Sequence, residues 1–180
     1  MDMSGQQRIG APKKVVWTAL NNPDVLKQCI PGCESIEMQS PTDMTARVVL
    51  KLGPIKATYS SKLQLLDLDP PNGYRIVGEG SGGAAGFARG SAVVRLADDG
   101  PKATLLTYET NVNVGGKIAQ LGARLLDSTA KKLAEEFFAT FSQVVAPSAG
   151  GELAGARQKR GGFFAWLFGL FSRKKPAVEV

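Results

Sequence analysis

A long amphipathic segment occupies residues 115–145, and its apolar positions follow a helical period. Apolar side chains recur every three or four positions, which is the spacing of one helix face. They are Ile118, Leu121, Leu125, Leu133, Phe137, Phe141 and Val144. The opposite side carries lysine, arginine, aspartate and glutamate. We therefore predict one long helix over residues 115–145, whose apolar face must be covered by another element.

Side-chain size changes along this predicted helix. Its first half carries small residues on or near the apolar stripe, whereas large aromatic rings return only toward its end. The small residues are Ala119, Gly122, Ala123 and Thr129, and the aromatic residues are Phe137, Phe138 and Phe141. The pattern predicts a cavity beside the first half and a closed core beside the second.

Between residues 36 and 114 the hydrophobic pattern changes to a period of two, which is typical of half-buried antiparallel strands. Apolar residues alternate with polar ones from Met44 to Leu52 and from Ile55 to Leu65, and Gly53-Pro54 separates the two runs. Further strands are predicted over residues 74–79, 93–96 and 104–114. Turn residues lie between them.

The N-terminal residues add one strand and two short helices. Residues 3–9 alternate as a modest edge strand does, and Pro12 then suits the first turn of a helix over residues 13–20. Asn22-Pro23 begins a second helix that extends to Gln28. The order of elements predicts an α+β helix-grip fold, in which a curved antiparallel sheet of six or seven strands wraps around the long C-terminal helix.

A glycine-rich stretch over residues 78–90 contains the spacing G-x-G-x-x-G from Gly78 to Gly83. A dinucleotide-binding loop needs a helix directly after this motif, but another strand follows here, which excludes that interpretation. Glycines inside strands usually mark bends or close approaches. The alternative is that the bare backbone leaves room for a ligand or a docking partner, with Phe87 as its apolar contact.

The distribution of charge argues against nucleic-acid binding. The chain has 22 basic and 16 acidic residues, a net charge of +6. Six basic and two acidic residues give residues 151–180 a charge of +4, which leaves only +2 for residues 1–150. The body therefore lacks the clustered basic surface that nucleic acids require.

Candidates for catalysis and metal binding are few. The chain has no histidine, so the commonest general base and metal ligand is missing. Cys29 and Cys33 bracket a Pro-Gly turn, and we interpret them as two thiols rather than a redox pair. The carboxylate pairs Asp67 with Asp69 and Glu135 with Glu136 lie in a turn or on a polar face, which favours solvated charges. We therefore predict no catalytic residues and no metal site.

Two tyrosines of the sheet point inward by the alternation of their strands. These are Tyr59 and Tyr108. Either hydroxyl could donate a hydrogen bond to a carbonyl group inside a cavity, or to a backbone group. Glu79 and Arg89, on either side of the glycine-rich stretch, could form an ion pair across a hairpin.

The C-terminal region differs in composition from the rest. Residues 147–162 are rich in serine, alanine and glycine, as flexible linkers are, so we predict a folded domain over 1–146 and a tail over 163–180. Nine residues with five aromatic rings reach only about 14 Å as a helix, too short for a bilayer core of about 30 Å. Basic residues flank them, which favours binding at an anionic membrane surface.

The predicted membrane-binding residues are Phe163, Phe164, Trp166, Leu167, Phe168, Leu170, Phe171, Arg173, Lys174 and Lys175. The alternative is that this segment folds back on the domain or enters the groove of a partner. The start of the chain has no apolar signal sequence, so we expect a cytoplasmic protein, peripheral on the inner face of the cell membrane.

Several motifs together resemble the CoxG family of carbon monoxide dehydrogenase proteins over about residues 1–145. They are Trp17, residues 21–24 (NNPD), 29–33 (CIPGC), 53–54 (GP), 67–71 (DLDPP), 80–90 (GSGGAAGFARG) and 115–122 (GGKIAQLG). The resemblance implies a START-like fold of the SRPBCC superfamily, which agrees with the predicted order of elements. It further implies a non-catalytic accessory protein of a molybdenum hydroxylase such as aerobic carbon monoxide dehydrogenase.

Our leading hypothesis is a peripheral membrane protein that carries an isoprenoid quinone between sheet and helix, and that couples the hydroxylase to electron transport. The predicted ligand-binding residues are Leu50, Leu63, Phe87, Tyr108, Leu121, Leu125 and Leu133. A second hypothesis is a membrane anchor with a filled core. A third is an enzyme, because START-like folds host cyclases and hydrolases, although the absence of histidine opposes it.

Overall fold

The computed structural model describes residues 1–146. The predicted linker over 147–162 and the aromatic and basic tail over 163–180 lie outside these residues. The described elements are β1 (Asp2–Ile9), α1 (Lys13–Leu20), α2 (Pro23–Cys29), β2 (Cys33–Met38), β3 (Asp43–Leu52), β4 (Ile55–Asp69), β5 (Gly73–Ser81), β6 (Phe87–Asp98), β7 (Thr104–Gly115) and α3 (Ala123–Val145).

The seven strands form one antiparallel sheet in the order β1-β7-β6-β5-β4-β3-β2. Neighbours in sequence are neighbours in space from β2 to β7, and β1 pairs with β7 from Asp2 opposite Asn111 to Ile9 opposite Thr104. The strand at the N-terminus is thus an edge strand, as its pattern predicts. The α+β helix-grip architecture predicted from the sequence is confirmed.

The short helices follow from local chemistry. Pro12 precedes the first residue of α1, and the Asn22 side chain accepts hydrogen bonds from the backbone N–H groups of Asp24 and Val25, which caps α2. Together α1 and α2 lie over one end of the sheet. There Ile9, Val16, Leu20, Phe141 and Val145 pack into the main core.

The long helix begins later than predicted. Gly115 ends β7, residues 117–121 form a 3-10 turn, and α3 starts only at Ala123. The residues that precede the turn and the helix, Gly116 and Gly122, have φ angles of +80° and +87°. These left-handed conformations interrupt a helix, although the apolar spacing continues across them.

The glycine-rich stretch consists of two strands and their connection rather than one loop. It covers the end of β5, a 3-10 turn at Gly83–Ala85 and the start of β6, which begins at Phe87. Strand β6 is therefore longer than predicted. Residues 87–92 alternate aromatic or polar side chains with alanine and glycine, and this weakens the hydrophobic pattern by which a strand is recognised.

Candidate functional site

A cavity of about 530 Å³ lies between the concave face of the sheet and the middle of α3. This volume falls within the range of about 300–1,000 Å³ found for small-molecule sites. Helix α3 covers it with Ala130, Leu133, Ala134 and Phe137, and the loop after α2 adds Ile30 and Pro31. The cavity is therefore bounded by sheet on one side and by helix and loop on the other.

The floor of the cavity consists of small residues in the two central strands. Residues directly opposite each other on neighbouring strands lie on the same face of a sheet. Leu63 and Ser61 of β4 face the cavity, so Gly78 and Gly80, their partners on β5, face it as well. Strand β6 pairs with β5 and also places small residues on this face. Its inward positions there are Ala88, Gly90 and Ala92. Because these residues have little or no side chain, the centre of the sheet leaves the space open.

Two packed clusters adjoin the cavity, because some of its lining residues also belong to them. In one of them Phe137 stacks on Phe141, with centroids 5.6 Å apart, and so joins the cavity to the main core. The other is a second cluster of buried residues. Its members are Leu52, Tyr59, Ala85 and Ile118, with Leu50 and Leu121 packed against them.

The structure brings three of the seven predicted ligand-binding residues to this cavity: Leu50, Leu63 and Leu133. Tyr108 instead lies beside it, packed against Gly5 and Phe138. Leu121 belongs to the second cluster, and Leu125 is 36% exposed near Gly53. The prediction treated residues 115–145 as one helix, whereas the break at Gly122 leaves Leu121 outside α3.

Phe87 lies on the opposite face of the sheet from the cavity. Its neighbour Ala88 lines the cavity, and alternation therefore directs the Phe87 ring outward, where it is 42% exposed. The Arg89 guanidinium carbon lies 5.8 Å from the centre of this ring. The sequence contained a signal for this orientation. Arg89 is two positions from Phe87 on the same strand, so both side chains lie on one face, and a charged residue there indicates the outer face.

Several lining residues were missed by sequence reasoning. Ser61 and Ile76 lie an even number of positions from other inward residues of their strands. On α3, Ala130 and Phe137 are three and four positions from Leu133, and Ala134 is adjacent to it. The helical and strand periods could therefore have predicted that these residues line the cavity. Met3 lies on the edge strand β1, whose alternation is weak because it contains glycine and polar residues, and Pro31 lies in a loop, which has no period.

The inward side chains of the lining strands are apolar or carry hydroxyl groups. Glu79 and Arg89 also border the cavity, but they share a row with Lys62 on the outer face. Within residues 1–146 no salt bridge joins Glu79 to Arg89, although the two are direct cross-strand neighbours. The cavity therefore holds no carboxylate or amine side chain from these strands.

The remaining candidates for acid–base chemistry are surface groups. Asp67 forms an ion pair of 3.1 Å with Arg75, and Glu136 lies 3.9 Å from Lys132; all four side chains are substantially exposed. In the described part of the chain, no group of three or more cysteine and carboxylate side chains is placed to hold a metal ion. These carboxylates act as solvated charges.

Both cysteines are thiols, Cys29 buried and Cys33 half-buried. Burial raises the pKa of Cys33, although the positive charge of Lys27 opposes this effect. A thiol with a raised pKa is a poor nucleophile at neutral pH. The arrangement is that of two thiols at the ends of a turn, as interpreted from the sequence.

None of the helices within residues 1–146 has both the length and the hydropathy needed to span a bilayer. The longest, α3, places lysine and glutamate along its outer side.

Comparisons with known proteins agree on family and fold. The family model for CoxG, a subunit of carbon monoxide dehydrogenase, matches residues 5–146. A conserved protein from Geobacillus kaustophilus is 30% identical with a TM-score of 0.78, and the alignment covers 82% of this chain and 97% of that one. No sequence among the curated proteins matches the chain.

More distant structures share the fold alone. A START superfamily protein from Mycobacterium smegmatis aligns with a TM-score of 0.56 and 14% identity over 83% of this chain and 97% of its own. The ZhuI aromatase/cyclase from Streptomyces sp. R1128 aligns with a TM-score of 0.61 and 14% identity, covering 86% and 98%. The START-like fold predicted from the sequence is thus confirmed.

Proposed function

Because this chain belongs to the CoxG family of carbon monoxide dehydrogenase proteins, we propose that it is a non-catalytic accessory protein that carries an isoprenoid quinone in its cavity. It would serve a molybdenum hydroxylase such as aerobic carbon monoxide dehydrogenase and couple that enzyme to membrane electron transport. The observation that carries this proposal is the cavity of about 530 Å³, whose lining is almost entirely apolar. A quinone has an apolar isoprenoid chain and a flat ring whose only polar atoms are its carbonyl and any ring-substituent oxygens, so it fits a lining of apolar side chains with a few hydroxyl groups.

The absence of catalytic groups supports a carrier over an enzyme. The chain has no histidine, and the strands direct no carboxylate into the cavity within the described residues 1–146. Acid–base catalysis requires a titratable group within hydrogen-bond reach of the substrate. The hydroxyl groups that β4 places in the cavity lining, those of Tyr59 and Ser61, are suited to binding rather than to proton transfer at neutral pH.

The tail over residues 163–180 would supply the membrane part of this function. Its aromatic residues and basic flanks suit the surface of an anionic bilayer. The domain would then be peripheral on the cytoplasmic face of the cell membrane, where it reaches both the hydroxylase and the quinone pool.

The direct test is to identify the ligand carried by the protein. The full chain is purified in mild detergent from its native host, and the organic extract is examined by mass spectrometry. An isoprenoid quinone in near-stoichiometric amount, absent from a variant with a filled cavity, is the expected result. Extracts with no quinone, together with failure of added quinone to bind, would refute carriage.

A membrane anchor without ligand carriage is the competing function, because the basic and aromatic tail would tether the domain whatever the cavity holds. The two functions separate in a membrane assay that supplies the hydroxylase and its substrate. A carrier with a filled cavity still recruits the enzyme but no longer supports quinone reduction, whereas a pure anchor retains both.

A further inference from the structure

Two hydroxyl-bearing side chains lie next to each other on the cavity face of β4. Tyr59 is opposite Val48 on β3, and Ser61 is opposite Ala46 on β3 and Gly80 on β5. Both residues line the cavity, and Tyr59 also belongs to the second cluster. Because they are two positions apart on one strand, they face the same side of the sheet.

Each of these side chains occupies space that a glycine leaves open. A Cβ atom at Gly80 would lie 2.8 Å from the Ser61 Oγ, and one at Gly82 would lie 2.8 Å from the Cε1 atom of Tyr59. Real Cβ contacts do not come so close, so any larger residue at either position would displace the side chain above it. The absence of side chains at Gly80 and Gly82 therefore leaves room for the Ser61 hydroxyl and for the Tyr59 ring.

The Tyr59 hydroxyl has no hydrogen-bond partner. Among residues 1–146 it is the buried side-chain oxygen or nitrogen for which the structure shows none, and the residue as a whole is 5% exposed. Buried hydroxyl groups are normally satisfied, because leaving one unpaired costs its full desolvation penalty.

Ser61 provides a second hydroxyl with unused hydrogen-bonding capacity. Its Oγ makes no hydrogen bond within the described part of the chain. By contrast, the Thr110 hydroxyl, which also lines the cavity, donates to the backbone carbonyl of Met3. The hydroxyl groups of Tyr59 and Ser61 are thus available to donate to a ligand, whereas the Thr110 hydroxyl already donates within the protein.

We infer that Tyr59 and Ser61 form the polar end of the cavity and donate hydrogen bonds to a carbonyl oxygen of the bound ligand. A carbonyl oxygen has two lone pairs and accepts from both hydroxyl groups. The ligand head then lies at the second cluster, and its apolar chain extends along Leu133 and Phe137. The Tyr59 hydroxyl is enclosed among its neighbours, so the proposed hydrogen bond requires its ring to rotate toward the cavity.

This inference rests on the proposed carriage of a quinone and assigns the orientation of that ligand. A fatty-acid ester also presents a carbonyl oxygen on an apolar chain, so the experiment includes both. The probes are a short-chain isoprenoid quinone, a fatty-acid methyl ester and an isoprenoid hydrocarbon of equal chain length without a ring. Binding of each to the full chain is measured by isothermal titration calorimetry.

The test variants are Tyr59→Phe and Ser61→Ala, each of which removes only a hydroxyl group. The matched controls are Tyr74→Phe, a buried tyrosine outside the cavity, and Ser60→Ala on the outer face of the same strand. We expect each test variant to raise the Kd for the quinone about five- to tenfold, as loss of one hydrogen bond does. The Kd for the hydrocarbon, and both controls, should not change.

The outcomes separate the inference from the proposed function. If wild type binds the quinone but Tyr59→Phe and Ser61→Ala bind it equally well, or lose quinone and hydrocarbon to the same degree, the polar end is refuted while carriage stands. If wild type binds the methyl ester but not the quinone, and the variants weaken ester binding, the polar end stands and quinone carriage fails. If wild type binds no probe, both fail.

Discussion

Tyr108 on β7 stacks on Phe138 of α3, with ring centroids 5.4 Å apart and an interplanar angle of 22°. The pair connects the sheet directly to the helix beside the cavity. Phe138 also meets Phe137 edge to face at 5.1 Å, and Phe137 lines the cavity. The aromatic residues thus hold α3 over the sheet at one end, while the cavity lies beside the preceding turns of the helix.

Truncation of either member of this pair should destabilise the domain. We expect Phe138→Ala to lower the free energy of unfolding by about 3 kcal/mol, because it removes a large, partly buried ring. In the double variant with Tyr108→Ala the losses should fall short of additivity by about 0.5–1.5 kcal/mol, the energy of a stacked pair. Urea unfolding measures both. The exposed Phe87→Ala is the control, and full additivity would contradict a direct contact.

A larger side chain on the cavity side of α3 should prevent ligand binding without unfolding the protein. In Ala134→Leu the added atoms enter open space rather than packed core, so stability should stay within about 1 kcal/mol of wild type. The Kd for a short-chain isoprenoid quinone should rise at least about tenfold, since the added volume competes with the ligand.

Ala139→Leu is the matched control for this prediction, because the same change then falls on the exposed side of the same helix. Its quinone Kd should equal that of wild type. Equal binding by both variants would mean that the ligand occupies another part of the protein.

The connection between β5 and β6 should tolerate no side chain at Gly86. Its φ angle is +114°, and a Cβ atom there would collide with the backbone carbonyl oxygen of Gly115. Gly86→Ala therefore combines backbone strain with a steric clash, and we expect a loss of about 3 kcal/mol or more in unfolding free energy.

Gly100→Ala separates these two effects. Gly100 also has a positive φ angle, +83°, but a Cβ atom there meets nothing within 4 Å. It should lose only about 1–2 kcal/mol, the cost of the left-handed conformation. Thermal and urea unfolding of both variants give the comparison, and similar losses would argue against the clash.

Stability should fall in alkaline solution because of Tyr74. Burial raises the pKa of Tyr74, which packs edge to face on Trp17 at 5.4 Å. The folded-state pKa is thus above the unfolded value of about 10. Its contribution is fully present below about pH 10 and is lost as pH rises further, because the unfolded chain then releases the phenolic proton first.

Urea midpoints measured between about pH 9 and pH 11 test this behaviour. Wild type should lose stability above about pH 10, and Tyr74→Phe should lose less, since phenylalanine has no proton to release. Burial also raises the pKa of Tyr59, so some decline remains in that variant. Identical curves for wild type and Tyr74→Phe would exclude Tyr74 as the cause.

Deletion of residues 157–180 should release the protein from membranes. Each basic residue near an anionic surface contributes roughly 1 kcal/mol, and the aromatic side chains add burial at the interface. Sedimentation with vesicles of mixed neutral and anionic lipid measures binding. Replacement of Arg173, Lys174 and Lys175 by Gln should weaken binding and reduce its salt sensitivity. A truncated protein that still sediments would refute the anchor.

Much of the fold was predictable because it depends on local periods. The two short helices have clear start signals at Pro12 and Asn22, and the alternation along β3 and β4 places Leu50 and Leu63 on the concave face. Leu133 follows from the helical stripe in the same way. These three residues line the cavity as predicted, because the periods of a regular strand and a regular helix determine which side chains lie on the same face.

The rest of the site required the tertiary structure. The prediction placed three residues in the cavity because they are hydrophobic: Phe87, Leu121 and Leu125. Hydrophobicity does not show which face of the glycine-rich strand Phe87 occupies, nor that the helix breaks between Leu121 and Leu125. Tyr108 packs on the Phe138 ring beside the cavity. The alternation of β7 predicts that Tyr108 points inward, but whether an inward side chain meets open space or a packed ring depends on the residue opposite it.

The sequence by itself determined the order of elements, the concave sheet and the one-sided helix, since hydrophobic periods and turn residues act over a few neighbouring positions. Only the tertiary structure decided where the cavity lies and which groups meet in it. Gly80 lies beneath Ser61, Gly82 lies beneath Tyr59, and Ala134 lies across the cavity from them. Such relationships join residues from separate elements, so they depend on strand register and helix placement, which no local pattern records.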